Sequence, residues 1–480
     1  MKLPSWVRTG HGGQPARPWC WVLVGLLAVV LIIAGLTADL HGFLEVRASW
    51  WRPLITLPAV CMLLLAWWQL GPRWKHPVLT ATLWSLPMLF ALPMHSRDAY
   101  AYAATGWQVA HGLNPYVTPL GDADLPGLLV GVHWFTTTSV YPSLSLELFG
   151  AIARMTGGDL YWTLVALRLP SLLALAVLAL VLPALARRFG LDPRLVLWAG
   201  LLNPIMLIQL VGGVHNDALM VALGVAAFLA VTDLGWKGWR GLLVAGVLLG
   251  TAMGIKQSAA LYGLGVVAVA WGLRIRQGNG WPRLIATAAV PGAVTVGTFL
   301  LLSLPRGLGW RNPTAGNPIE ATSNAPLSWV ASFLRYHHVF SFPVANAVVT
   351  TISTILIVAV ILVVWIRFGP RGSGIGQPWL FAIAVLVAFN VAGPALQPWY
   401  LTWVIPLYAF ARGRAALNRV WLVVVAAFAL LATLQDVLPP YWSMFIVGVP
   451  LWLCWRAMAR RGYDPLPTSD PEADPFRTKV

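Results

Sequence analysis

About fourteen apolar segments, each near the length of a membrane span, divide this chain, and Lys and Arg gather in every second gap between them. That alternation limits the fold more than any single motif. A hydrocarbon layer of about 30 Å takes roughly 20 apolar residues at 1.5 Å of helical rise each, and backbone polar groups inside it must be satisfied within the protein. The segments run at about 21–40, 54–70, 78–94, 160–182, 195–211, 217–234, 241–255, 257–273, 284–304, 343–366, 378–394, 398–411, 420–438 and 441–457. Hydrophobic residues make up 58% and charged residues 10% of the chain, against roughly a quarter charged in a soluble domain, so a soluble fold is excluded. The expected class is an all-α polytopic membrane protein.

Short cytoplasmic loops collect Lys and Arg. With the N-terminus inside, eight gaps hold Lys2, Arg8 and Arg17; Arg73 and Lys75; Arg187, Arg188 and Arg194; Lys237 and Arg240; Arg274, Arg276 and Arg283; Arg367 and Arg371; Arg412, Arg414 and Arg419; and Arg456, Arg460, Arg461, Arg477 and Lys479. These are 23 of the 32 basic residues. Both termini then lie in the cytoplasm of a multi-pass plasma-membrane protein. The net charge of +16 reads as a topology signal and as attraction to anionic lipid headgroups; its scatter over separate gaps does not describe a nucleic-acid site. The first apolar stretch follows a basic leader without a small-residue cleavage site, as an uncleaved signal anchor would. Cys20, Cys61 and Cys454 are too isolated for a disulfide framework or a thiolate metal site.

Two long gaps, about 95–159 and 305–342, fall on the extracytoplasmic side, where acidic and aromatic residues also concentrate. The stretch Tyr141 to Thr156 is apolar enough for another span, but counting it would turn the later basic loops outward. It is read as an interfacial or re-entrant helix. Residues 1–462 then form a single transmembrane domain, and the Pro- and Asp-rich residues 463–480 a short disordered cytoplasmic tail. The halves show no internal duplication, which counts against many secondary transporters.

The first long gap opens HSRDAYAYAATGWQVAHGLNPYVTP. From Asp98 to His111 the run suits an amphipathic helix in the membrane interface, stopped by Gly112 and Asn114-Pro115. Asp98 there either caps the helix or acts as a general base on an attacking hydroxyl. Tyr102, Trp399, Tyr400 and other aromatics of these gaps suit either sugar stacking or an interfacial belt. Arg168, inside an apolar span, and Lys256, between two spans, need a partner or a route to the surface. Each reads as structural (an ion pair for Arg168, snorkelling for Lys256) or as the grip on a lipid-linked phosphate. In VGGVHNDALM, residues 211–220, Asn216 or Asp217 caps the following helix, or His215 and Asp217 bind sugar hydroxyls. A metal would need more ligands than this cluster offers.

The segments SRDAYAYAATGWQVAHGLNPYVTPLG, LLNPIMLIQLVGGVHNDALMVALGVA, GIKQSAALYG, GLGWRNPTAGNP and QPWYLTWVIPL, in that order between about residues 95 and 411, resemble the actinobacterial polyprenol-phosphate-mannose-dependent α-(1→6)-mannosyltransferases. The resemblance implies a GT-C glycosyltransferase of about 14 helices with extracytoplasmic interfacial helices. It implies transfer of mannose from polyprenyl phosphate to the α-(1→6)-mannan backbone of lipomannan or lipoarabinomannan, with inversion and with Asp98 as the base. Lys256, Arg168 and Arg311 would hold the donor phosphate, and Tyr102, His215, Asn216, Asp217, Gln397, Trp399 and Tyr400 would shape the sugar and acceptor pocket. No cofactor is required in this scheme and no metal site is expected. The partners would be the lipid-linked donor, a mannan or phosphatidylinositol-mannoside-type acceptor and membrane lipids. The chain departs from the family at TTTSVYPSLSLE, residues 136–147, where a run like SPYGP is expected, which leaves the acceptor side open. Ala99 after Asp98 differs from the Asp-Glu pair of protein O-mannosyltransferases and argues against a protein acceptor. A transferase of another sugar, arabinose or glucose, and a flippase or exporter of lipid-linked sugars stay open as alternatives.

Overall fold

Interrupted helices, rather than a full set of long spans, shape this membrane bundle. A computed structural model describes residues 17–37, 52–131, 134–232, 238–275, 280–311, 325–412, 415–434, 440–466 and 476. The helices are α1 (Pro18–Thr37), α2 (Arg52–Leu70), α3 (Pro77–Ser85), α4 (Asp98–Ala110), α5 (Asp124–Leu129), α6 (Ser143–Met155), α7 (Leu160–Ala166), α8 (Leu169–Arg188), α9 (Pro193–Val196) and α10 (Asp217–Ala230). They continue as α11 (Trp239–Ile255), α12 (Ala260–Arg274), α13 (Trp281–Ser303), α14 (Pro326–Tyr336), α15 (Phe342–Phe368), α16 (Pro378–Ala392), α17 (Ile405–Tyr408), α18 (Ala415–Leu434) and α19 (Pro440–Arg460). No strand occurs among the described residues.

Among those residues, seven helices are long and apolar enough to cross a membrane: Pro18–Leu36, Arg52–Leu70, Leu160–Arg188, Trp281–Ser303, Ala347–Phe368, Ala415–Leu434 and Trp442–Arg460. The chain is thus a multi-pass membrane protein, with fewer full-length spans than the hydropathy pattern predicts. Prolines account for part of the difference. Pro193–Leu201 and Met206–Gly212 form an eighth candidate bent by 52°. At the bend, Pro204 removes a backbone donor, and Asn203 makes up the loss by accepting from Ile205 N at 3.0 Å and donating to Ala199 O at 3.3 Å. The expected span at 398–411 is instead a 3-10 turn, Pro398–Trp403, then α17 and the short turn Ala409–Ala411. Pro406 lacks the N–H that one continuous helix over these residues would use, and the broken backbone is tolerated because it is buried in protein.

The core is tied across sequence by aromatic pairs. Trp67 and Trp198 stack at 4.5 Å, and each indole N–H donates to the other residue's carbonyl at 2.9 Å. Both polar handles are satisfied without water.

Two expectations change. Helix α4 forms over the expected residues, and all of it from Ala99 to Val109 except Trp107 is buried in the protein, so it presents no free amphipathic face. Its Ala and Gly residues let α6 approach until a Cβ on Gly106 would sit 2.5 Å from Phe149 O. The start of the supposed disordered tail is also docked: Tyr463 Oη accepts from Trp68 Nε1 at 2.8 Å, and Asp464 Oδ1 accepts from Asn418 Nδ2 at 2.8 Å. Leu466 is buried, and Phe476 lies 5.4 Å from the Phe189 ring. Aromatic and aliphatic side chains within an otherwise polar segment find apolar partners that its composition does not reveal. Residues 467–475 and 477–480 lie outside the described residues.

Candidate active site

Four chain segments bring polar side chains together where helices begin, end or break. Helix α4 starts with Asp98, α10 starts with Asp217, α11 ends at Lys256, and the Pro398–Trp403 turn carries Trp399, Tyr400 and Trp403.

Lys256 leaves the helix in extended conformation (φ −153°, ψ 127°), which turns its side chain away from α11. Its ammonium donates to both Asp217 oxygens at 2.9 Å, and Trp403 Nε1 donates to Oδ1 at 2.6 Å. The Asp217 side chain is fully buried and that of Lys256 is 15% exposed. The rings of Tyr400 and Trp403 lie 5.1 and 5.6 Å from Nζ. Burial alone would lower the Lys256 pKa, but the Asp217 carboxylate above all reverses this and the net direction is upward. Lys256 therefore does not snorkel; its ammonium is paired with Asp217. Asp217 neither caps α10 through its side chain nor faces outward for a sugar, because both oxygens are engaged by Lys256 and the indole.

His215 is fully buried and stacks on Trp399 with centroids 4.0 Å apart and planes 19° apart. Its Nδ1 lies 3.6 Å from Asp98 Oδ2. Burial, with the nearby Lys256 charge, holds its pKa well below the ordinary histidine value, so the imidazole is neutral. Asp98 is the first residue of α4; its N–H donates to Ser96 Oγ at 3.1 Å, and its side chain remains 14% exposed. One turn on, Tyr102 has its hydroxyl 3.5 Å from both Asn216 Oδ1 and Tyr141 Oη, and its ring stacks on Phe149 at 4.9 Å. Asn216 makes no side-chain cap to α10, and its Nδ2 is buried without a hydrogen-bond partner. Tyr102, Phe149, Leu167, His215, Asn216 and Ile255 help line a small cavity here.

Arg168 sits elsewhere in the design. Only 1% exposed, it donates from Nε to Val211 O at 3.1 Å, from Nη1 to Leu164 O at 2.9 Å and from Nη2 to Ala91 O at 2.7 Å. These three side-chain bonds all go to backbone carbonyls, so its planar fork staples three backbone segments together just before the turn that bears His215. Arg311 is exposed at the end of the turn Gly309–Arg311, and residues 312–324 of the same loop lie outside the described residues. Gln397 is half-buried beside the aromatic turn, and its carbonyl accepts from Tyr400 N at 3.0 Å.

Sequence reasoning missed Trp403, Tyr141 and the ion pair of Arg306 Nε with Glu147 Oε1 at 2.5 Å. For Trp403 a signal existed, since it lies four residues after Trp399 in QPWYLTWVIPL. Nothing local marks Glu147 and Arg306 as partners.

A neutral imidazole, a carboxylate and a counter-ion-held lysine, ringed by indole and phenol groups at broken helices, define a polytopic membrane protein with a built polar site. Residues 22–273 match the family described as α-(1→6)-mannopyranosyltransferase, N-terminal domain, and the chain belongs to that family. It is 29% identical over 458 residues to α-(1→6)-mannopyranosyltransferase A of Mycobacterium tuberculosis, covering 87% of this chain and 85% of that protein. The protein of the same description from Corynebacterium glutamicum is 30% identical over 346 residues, covering 67% of this chain and 68% of its own length. α-(1→6)-Mannopyranosyltransferase B of Corynebacterium glutamicum is 25% identical over 397 residues, 75% of this chain and 65% of that protein. No solved structure matches this one.

Proposed function

We propose that the protein is an inverting mannosyltransferase of GT-C architecture. It moves mannose from polyprenyl-phosphate-mannose to a growing α-(1→6)-mannan backbone of a lipomannan- or lipoarabinomannan-type glycolipid on the outer face of the plasma membrane. The relatives' α-(1→6)-mannopyranosyltransferase names support the sugar and the linkage. The observation that carries the chemistry is the partly open Asp98 carboxylate beside a neutral His215, in a cluster that also holds the charged Lys256.

Asp98 takes the proton of the acceptor hydroxyl as that oxygen bonds to the anomeric carbon. The bond from that carbon to the phosphate oxygen breaks, and the departing polyprenyl phosphate gains a negative charge. The Lys256 ammonium has a third N–H beyond the two held by Asp217, and it stabilises that charge. Arg311 is the remaining cation proposed for the phosphate. Tyr102, Asn216, Gln397, Trp399 and Tyr400 border the sugar and acceptor pocket. The scheme has its own cation for the leaving group and invokes no metal.

Purified full-length protein with labelled polyprenyl-phosphate-mannose and a short α-mannoside tests this. Transfer in detergent, where sides do not exist, supports an enzyme and not a flippase. Asp98→Asn should lower turnover by about 10²–10⁴ while donor binding persists. Full turnover in that variant removes Asp98 from the mechanism. Arabinosyl- and glucosyl-phosphate donors offered in parallel test the choice of mannose.

A further inference from the structure

The turn between Gly212 and Asp217 is built at a steric cost, and what it aims is His215. Val214 has φ +59°, a left-handed conformation that a β-branched residue seldom adopts. Such outliers persist only where the surroundings enforce them. Here they do: Arg168 holds Val211 O just before the turn, Met94 N donates to Gly212 O at 2.9 Å, and Val214 is itself buried. Gly213 leaves the room the ring needs, since a Cβ there would lie 3.0 Å from His215 Nε2. On its flat side the ring meets Trp399, and its edge points Nδ1 at Asp98 Oδ2, 3.6 Å away. Both ring nitrogens are buried without a hydrogen-bond partner. A buried imidazole in that condition is costly unless a contact completes it during function.

We propose that His215 is a positioning residue for Asp98: neutral, with its proton on Nδ1, it donates to Oδ2 once substrate closes the 3.6 Å gap, and so fixes which Asp98 oxygen faces the acceptor hydroxyl. This rests on Asp98 being the base, and it gives His215 a role other than sugar binding. Apo distances in catalytic pairs are often long and tighten on binding. The stack on Trp399 keeps the ring from rotating, and Nδ1 is the ring nitrogen that faces the carboxylate. The other charged and titratable groups of the cluster are Lys256 and Asp217 at the α11–α12 and α10 ends, with Tyr102, Tyr141 and Tyr400 around them.

The test compares pH–rate profiles of the purified full-length protein. His215→Phe keeps a flat ring on Trp399 and removes the donor; kcat should fall 10-fold or more with little change in donor KM. Without the hydrogen bond the Asp98 carboxylate is less favoured, so the acid limb should move up by about one pH unit. His215→Asn places an amide N–H where Nδ1 was and should keep the acid limb near the parent position. Gly213→Ala retains every site group, and Gly213 has φ −78°, which alanine adopts, but its Cβ would lie 3.0 Å from His215 Nε2, so the ring must shift. It should move the acid limb in the same direction as His215→Phe, so the idea stays testable even when the Phe variant does not assemble. An acid limb unmoved in both His215→Phe and Gly213→Ala overturns the proposal, as does an Asn variant indistinguishable from the Phe one. Asp98→Asn is assayed alongside: its retained turnover sinks the base assignment, whereas an inactive Asp98→Asn with unmoved His215 profiles sinks only the positioning role.

Discussion

Removing the charge of Asp217 while keeping its shape is the sharpest test of how the site is held. In Asp217→Asn the amide oxygen can still accept from Trp403, but the ammonium of Lys256 loses its counter-ion. At 2.9 Å and an effective dielectric near 20, the pair attraction is about 6 kcal/mol. Desolvation offsets part of that, and breaking a buried pair on one side typically costs about 3–5 kcal/mol. Deprotonation sets a ceiling. An ordinary lysine lies about three units above pH 7.5, and at about 1.36 kcal/mol per unit the stranded ammonium escapes its burial for about 4 kcal/mol. We therefore expect a loss of about 3–4 kcal/mol, seen as a fall of several degrees in Tm for protein in lipid nanodiscs. The sign of the pH dependence follows. In the variant the folded Lys256 has a depressed pKa, so the unfolded chain binds more protons, and the deficit should narrow by up to about 1.4 kcal/mol per pH unit between about pH 7 and 9. The parent, whose Lys256 pKa is raised, should show no such slope from this residue in that window. Asp217→Asn with Lys256→Met removes both charges and should recover most of the loss. A Tm within one degree of the parent at about pH 7, or a double variant no better than the single, would refute the view that this pair is a buried structural unit.

Two further predictions concern the scaffold. Arg168→Met strands the carbonyls of Ala91, Leu164 and Val211 and should lower Tm by an amount corresponding to about 2–4 kcal/mol; Arg168→Lys should not restore it, because a single ammonium cannot reach all three. A stable Arg168→Met protein with lost donor binding would instead return this residue to the phosphate site. Gly106→Ala forces α4 from the Phe149 carbonyl of α6, so both Tm and turnover should fall, by about 1–3 kcal/mol in stability. Unchanged unfolding of this variant in nanodiscs would show that the two helices are not in close contact.

What could be read from the chain and what could not divides by range. Hydropathy and charge are local, so the membrane class, the all-helical content and most helix positions followed from sequence. Asp98, His215, Asp217 and Lys256 also stood out, because ionisable residues at the ends of apolar runs need a reason to be there. Their partners did not stand out. Asp217 meets Lys256 across 39 residues and Trp403 across 186, while Arg168 reaches Ala91 across 77. Such contacts depend on how helices pack, and no spacing along the chain encodes them. The same limit explains why apolar runs outnumber the long unbroken helices among the described residues. An apolar run looks alike whether it crosses lipid as one helix or, as at 398–411, breaks into short turns inside the protein. Sequence alone determined that this protein lives in a membrane and which ionisable residues it keeps at the margins of its apolar segments. Tertiary structure alone decided that Lys256 is paired, that Arg168 is a backbone staple and that His215 faces Asp98, because a buried charge or ring takes its role from the few atoms packed around it.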